Sequence, residues 1–179
     1  NTRLIEDLKF RKLKNHYYNA TISGQNSDWL KNIISQESEV IFLDELCDIS
    51  KQLDNKFDWW MFSKINEHYD KKLHIPYNEN SEEKLFYPDF IFWLQKDDKQ
   101  TILFFDPKGT KHTDYQIKLE GYQELFELND NPREFFINKN KNKIEVKLAF
   151  YKINTNHIHR SFEKYWVQKD SLINYFEKL

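Results

Sequence analysis

Two runs that are apolar on both faces, residues 85–94 and 101–105, flank a short polar tip, Lys96-Asp97-Asp98-Lys99-Gln100. A strand apolar on both faces must be covered on both, so these runs read as buried central strands of a layered sheet. A tip this short joins them as an antiparallel hairpin. With Gln95 set opposite Gln100, the numbers of cross-strand partners sum to 195, and Asp89 falls directly opposite Asp106. Directly opposed residues have Cα atoms about 4.5–5.5 Å apart.

Around this hairpin the chain reads as alternating helices and strands. Residues 2–18 fit a helix with a basic face formed by Arg3, Lys9, Arg11, Lys12 and Lys14, which as an isolated feature is a solvated surface. Residues 29–52 read as two short helices or a helix and a strand, because Val40-Ile41-Phe42-Leu43 suits either. The spacing of Phe57, Trp60, Met61, Ile65 and Tyr69 predicts a core-packing helix over 57–69, followed by a first strand near 73–77. Thr113-x-x-Gln116 has the form of a capping box, which opens a helix that Asn129-Asp130-Asn131-Pro132 stops. Residues 144–153 form a long strand, Tyr165-Trp166-Val167 adds a short edge strand, and Asp170 or Ser171 caps a last helix. The expected class is α/β, with a mixed central sheet flanked by helices. The expected division is an N-terminal helical extension over 1–56 and a core over 57–179.

The chemistry concentrates at Tyr87-Pro88-Asp89 and Asp106-Pro107-Lys108-Gly109. An acid two residues before a lysine means little alone, since Asp7, Asp54, Asp70, Glu82, Asp97 and Glu145 have the same spacing. Register is what sets Asp106 and Lys108 apart. Two carboxylates opposed on one sheet face repel, and a divalent cation removes that cost. Strand alternation puts Lys108 on the face of Asp106 while Pro107 points away. Two hard oxygen ligands beside an ammonium suit metal-assisted hydrolysis of a phosphodiester. The bland alternative is a pair of strand-end acids salt-bridged by a lysine, with Pro88 and Pro107 as punctuation.

Composition narrows the alternatives. Of 179 residues, 39% are hydrophobic and 17% aromatic, enough for one sizeable core. There are 27 basic and 29 acidic residues, so the net charge of −2 gives no bulk attraction to nucleic acid, and such contacts must come from local patches. Cys47 is the single cysteine, which excludes an internal disulfide and points to a reducing, cytoplasmic location. The glycines are Gly24, Gly109 and Gly121, too sparse for a phosphate-cradling loop or a dinucleotide fingerprint. No run approaches the roughly 20 apolar residues of a membrane span.

The wording Phe86-Tyr87-Pro88-Asp89-Phe90-Ile91-Phe92-Trp93 with Phe104-Phe105-Asp106-Pro107-Lys108-Gly109-Thr110 resembles the PD-(D/E)XK nuclease superfamily. It is most similar to the endonuclease domain at the C-terminal end of type III restriction enzyme subunits and related helicase-nuclease proteins, over about residues 59–153. The resemblance implies a restriction-endonuclease-like core of helix, three strands, helix and strand. It also implies Mg²⁺-dependent DNA cleavage leaving a 5′-phosphate, with Mn²⁺ able to substitute. Carried onto this chain, Asp89 and Asp106 would hold the metal, the Pro107 carbonyl could be a further ligand, and Lys108 would serve the water. Such relatives often add an acid from the first core helix, for which Glu67 is the candidate, against the commoner fate of a solvated helix glutamate. Gln116 matches a polar residue near the metal in many relatives, or is only the second half of its capping box. The chain begins at Asn1 and carries no ATPase motif, so a helicase-type motor or recognition module is expected on its N-terminal side. The rival reading is an inert nuclease fold that binds nucleic acid or a protein partner without cutting. His157 and His159 would need a third ligand such as His74 to make a zinc site. Lys111, His112 and Lys118, with Lys139, Lys141, Lys143 and Lys147, are either phosphate contacts or solvated surface.

Overall fold

The computed structural model describes residues 9–11, 15, 21–23, 34, 36–108, 114–137, 142–152, 158 and 160–179. In chain order the elements are β1 (Lys9–Arg11), β2 (Thr21–Ser23), α1 (Glu37–Lys56), β3 (Trp59–Lys64), β4 (Ile75–Glu79) and β5 (Glu82–Phe86). Then come β6 (Phe90–Lys96), β7 (Lys99–Lys108), α2 (Tyr115–Phe126), β8 (Glu127–Leu128), β9 (Asn131–Pro132) and β10 (Glu134–Ile137). The chain closes with β11 (Asn142–Lys152), a 3₁₀ turn (Arg160–Tyr165), β12 (Trp166–Gln168) and α3 (Leu172–Glu177).

The central sheet runs β10-β11-β7-β6-β3, with β12 also paired to β11. The hairpin β6–β7 is antiparallel with Gln95 opposite Gln100 and Phe90 opposite Phe105, so its partners sum to 195 as the tip chemistry predicts. Asp97 takes the left-handed conformation at that tip, with φ 54°. β3 runs antiparallel to β6, whereas β11 lies parallel to β7 from Lys143 beside Lys99 to Lys152 beside Lys108. The molecule is therefore α/β with a mixed sheet flanked by helices. None of the described helices is long and apolar enough to cross a membrane.

The helix expected over 57–69 is instead the edge strand β3. Trp60 and Phe62 are buried while Trp59 and Met61 are 43% and 38% exposed, so the true period is two. Because the outward residues are apolar as well, that alternation is invisible in hydropathy and the spacing mimics a helix. Asn66 then ends the strand in a turn, its carbonyl accepting the N–H groups of Tyr69 and Asp70. The expected strand near 73–77 appears as β4, but it pairs only with β5 in a separate ribbon. The first core helix is α1, which contains the ambiguous run 40–43 and buries Phe42, Leu43, Leu46, Ile49 and Leu53 on one face. Of the helix expected over 2–18, Lys9–Arg11 is a strand paired with β2, and most of the remainder lies outside the described residues.

The sheet has a core on each face. On one side α1 and α3 cover Phe62, Phe90, Phe92, Phe105 and Tyr151. On the other α2 covers Ile91, Phe104, Leu148 and Phe150. β7 occupies one edge of β11 throughout, so β10 and β12 share the other and leave residues 146–149 without a strand there. Tyr122 fills that notch: its hydroxyl donates to the Val146 carbonyl at 2.9 Å and accepts the Leu148 N–H. Burial pushes the phenol up, which keeps it a donor.

Two features carry predictions. A Cβ on Gly121 would lie 2.3 Å from the Pro76 carbonyl oxygen and 2.8 Å from Tyr77 Cβ, so glycine is what lets α2 lie against β4. Gly121→Ala should lower stability by about 1–3 kcal/mol despite alanine's better helix propensity, as read by urea denaturation. The second is Glu145, buried at the β11 edge with Lys99 Nζ at 2.9 Å, Lys143 Nζ at 3.2 Å and Lys147 Nζ at 3.8 Å. Burial raises its carboxyl, but the bonds from Lys99 and Lys143 outweigh this and hold it below the ordinary range. A depressed carboxyl contributes stability above its unfolded pKa of about 4.3 and loses it as pH falls through the lower folded value. Glu145→Gln should therefore destabilise the protein near neutrality and flatten its acid limb, measured as Tm against pH.

Candidate functional site

The site is built at the end of the sheet where β3 and β7 finish and β6 begins. β6 and β7 last pair at Phe90 and Phe105, and the same register carries Asp89 to the position beside Asp106. Asp89 is half-buried, and its carbonyl accepts the Ile65 N–H at 2.8 Å, tying the exit of β3 to the entry of β6. Asp106 is only 4% exposed. Phe105 belongs to the α1 side and Phe104 to the α2 side, so strand alternation puts Asp106 on the α2 side.

β11 completes the row. Phe150 lies in register with Asp106 and Lys152 with Lys108, the last residue of β7. Lys152 is 7% exposed and, by alternation, shares the face of Phe150. A lysine this buried beside a buried carboxylate marks a charged cluster set into the sheet end.

α1 brings in a further acid. Ser38 donates its hydroxyl to the Pro107 carbonyl at 3.0 Å, fixing the first turn of α1 against the end of β7. One residue on, Glu39 is 4% exposed and ion-paired to Lys64, the last residue of β3. Lys64 stands in register with Phe90 and holds its ammonium 5.3 Å from that ring's centre. The N-terminal end of α1, with its positive dipole, also favours an acid here.

The expected residues fare differently. Asp89, Asp106, Pro107 and Lys108 gather at one end of the sheet. The Pro107 carbonyl, expected as a metal ligand, accepts the Ser38 hydroxyl. Glu67 is not on a helix: it sits in the turn after β3 with a side chain 65% exposed and 3.9 Å from His68. Gln116 is exposed in the first turn of α2, where Asp114 occupies the N-cap position and Thr113 lies outside the described residues. Lys118 pairs with Asp114 at 2.5 Å and lies over the Phe86 ring. His74 Nδ1–H donates to the Lys71 carbonyl at 2.8 Å, while His157, His159, Lys111, His112, Lys139 and Lys141 lie outside the described residues.

Glu39, Lys64 and Lys152 were not identified from sequence. Glu39 precedes Phe42 by three residues, so a charged residue on the apolar stripe of a correctly placed helix is the signal that would have found it. Two carboxylates, Asp89 and Asp106, lie at neighbouring register positions on the α2 side of the sheet end, while Glu39 is buried on the α1 side. Among the described residues, no three His, Cys, Asp or Glu side chains converge into a ready metal site, and Glu39 is engaged by Lys64.

Residues 23–166 match the YagJ family. No curated protein and no solved structure matches the chain.

Proposed function

Because the chain belongs to the YagJ family, whose name assigns no chemistry, we propose a function from the site itself: a metal-dependent endonuclease domain that hydrolyses DNA phosphodiester bonds. The observation that carries this reading is the hairpin register, which sets Asp89 beside Asp106 at the end of a strand finishing in Asp-Pro-Lys. The order α1, β3, β6, β7, α2, β11, with the last strand parallel to β7, supports a restriction-endonuclease-like core.

In this reading Asp89 and Asp106 would hold Mg²⁺ from the α2 side of the sheet end. A bound divalent cation supplies an acidified water and neutralises charge on the scissile phosphate. Lys108 orients the attacking water and Lys152 offsets carboxylate charge when no cation is bound. The burial of Asp106 strengthens each of these charge interactions relative to water. With near-neutral net charge, affinity for DNA comes from local lysines and falls with salt.

The test is cleavage of supercoiled plasmid and of labelled single-stranded and duplex oligonucleotides in Mg²⁺ or Mn²⁺. Asp106→Asn and Lys108→Ala should each lower the rate by about 100-fold or more, whereas Glu67→Gln should leave it within about twofold. Binding of DNA without any cutting under either cation, unchanged in all three variants, would replace the nuclease by a binding module.

A further inference from the structure

We propose that a cavity at the outer edge of β11 binds a small zwitterion, an amino acid or short peptide, with its carboxylate toward Lys147 and its ammonium toward Glu127. The site stands on the edge of β11 away from β7, and the inference is independent of the nuclease reading.

The cavity holds about 400 Å³ and lies where β10 and β12 leave the β11 edge without a strand. Small-molecule sites have volumes of this order. Its lining is divided by charge. Lys147 shares the face of Ala149 and Tyr151 and meets Tyr175 and Lys178 from the α3 side. Glu127, Asp130, Glu163 and Lys164 line the part next to Tyr165, on the α2 side.

Neither part is balanced within itself. Lys147 is half-buried, and its ion-pair partner Glu145, at 3.8 Å, already takes Lys99 at 2.9 Å and Lys143 at 3.2 Å. Burial and the Lys99 charge push the Lys147 ammonium down, as for a cation short of counter-charge. Lys178 makes no ion pair among the described residues. On the acidic side Glu127 is only 9% exposed, and its Oε2 accepts both the Lys164 ammonium at 3.0 Å and the Tyr165 hydroxyl at 2.8 Å. Lys164 also faces Asp130 at 3.6 Å, so with Glu163 three carboxylates of the lining stand to one ammonium. Glu127 Oε1 takes no partner among the described residues. A lone anion would meet Glu127 and a lone cation would meet Lys147, whereas a zwitterion supplies each side with the charge it lacks. The Tyr175 hydroxyl makes no hydrogen bond among the described residues, and burial pushes its phenol up, so it remains a donor for the carboxylate.

Thermal melting of the protein with each standard amino acid and with the dipeptide Leu-Leu, followed by calorimetry near neutral pH, tests this. At least one zwitterion should raise the melting temperature, and the arm that does so distinguishes a free amino acid from a peptide. The N-acetyl and carboxamide forms of that binder, each lacking one charge, should bind about tenfold more weakly or worse. Lys147→Met and Glu127→Gln should weaken it by a similar factor. Without ligand, Lys147→Met should melt no lower than wild type, because it removes a cation short of counter-charge. In the wild-type protein the bound zwitterion should slow acylation of the Lys147 amine, a measurement that needs no variant to fold. No shift with any zwitterion, equal affinity for the forms lacking a charge, affinity unchanged in Lys147→Met, or Lys147 acylation unaffected by the binder would overturn the inference while leaving the nuclease reading intact.

Discussion

Phe42 is the contact on which the arrangement of the sheet end depends. Its ring is fully buried on α1 and packs at 5.1 Å from Phe90, 4.6 Å from Phe105 and 5.7 Å from Tyr151, centre to centre. Each of those three aromatics is the chain neighbour of a charged residue of the site: Asp89, Asp106 and Lys152. Glu39 precedes Phe42 by one helical turn and so shares its face. One aromatic cluster thus orders three strands and a helix at the sheet end, with Asp89, Asp106 and Lys152 on the face away from it and Glu39 on its own side. Such contacts are worth several kcal/mol at a site this closed.

The remaining structure supports that cluster by making slippage expensive. β7 is paired on both sides, to β6 and to β11, and a shift of one residue would turn its phenylalanines and Asp106 to the wrong faces. At the outer edge of β11 the Tyr122 hydroxyl takes the place of a missing strand, so the interruption leaves the Val146 and Leu148 backbone groups satisfied. At the far end of the same sheet Glu145 gathers Lys99 and Lys143. In β3, β6 and β7 charged residues are therefore confined to the strand ends, whereas β11 carries Lys147 at its middle, within reach of Glu145.

How much of this was legible in the sequence depended on whether the signal was local. The hairpin and its register could be read because both strands are apolar throughout and the tip between them is short and polar. β3 was misread as a helix because Trp59 and Met61, its outward residues, are as hydrophobic as its inward ones. That error displaced the first core helix, so the acid sought on it was assigned to Glu67, which lies in a turn. Lys152 was out of reach for a different reason. It stands beside Lys108 only because β11 lies parallel to β7, and a parallel crossover has no short-range sequence signature that fixes its register.

A carboxylate pair built by register should bind metal at the register position. Crystals grown or soaked with Mn²⁺ should give an anomalous difference peak at about 2.0–2.3 Å from carboxylate oxygens of both Asp89 and Asp106. A peak there, absent in Asp106→Asn, is the predicted result. Mn²⁺ found only at other, surface carboxylates, or no peak at saturating Mn²⁺, would contradict the assignment of this sheet end as a metal-dependent active site.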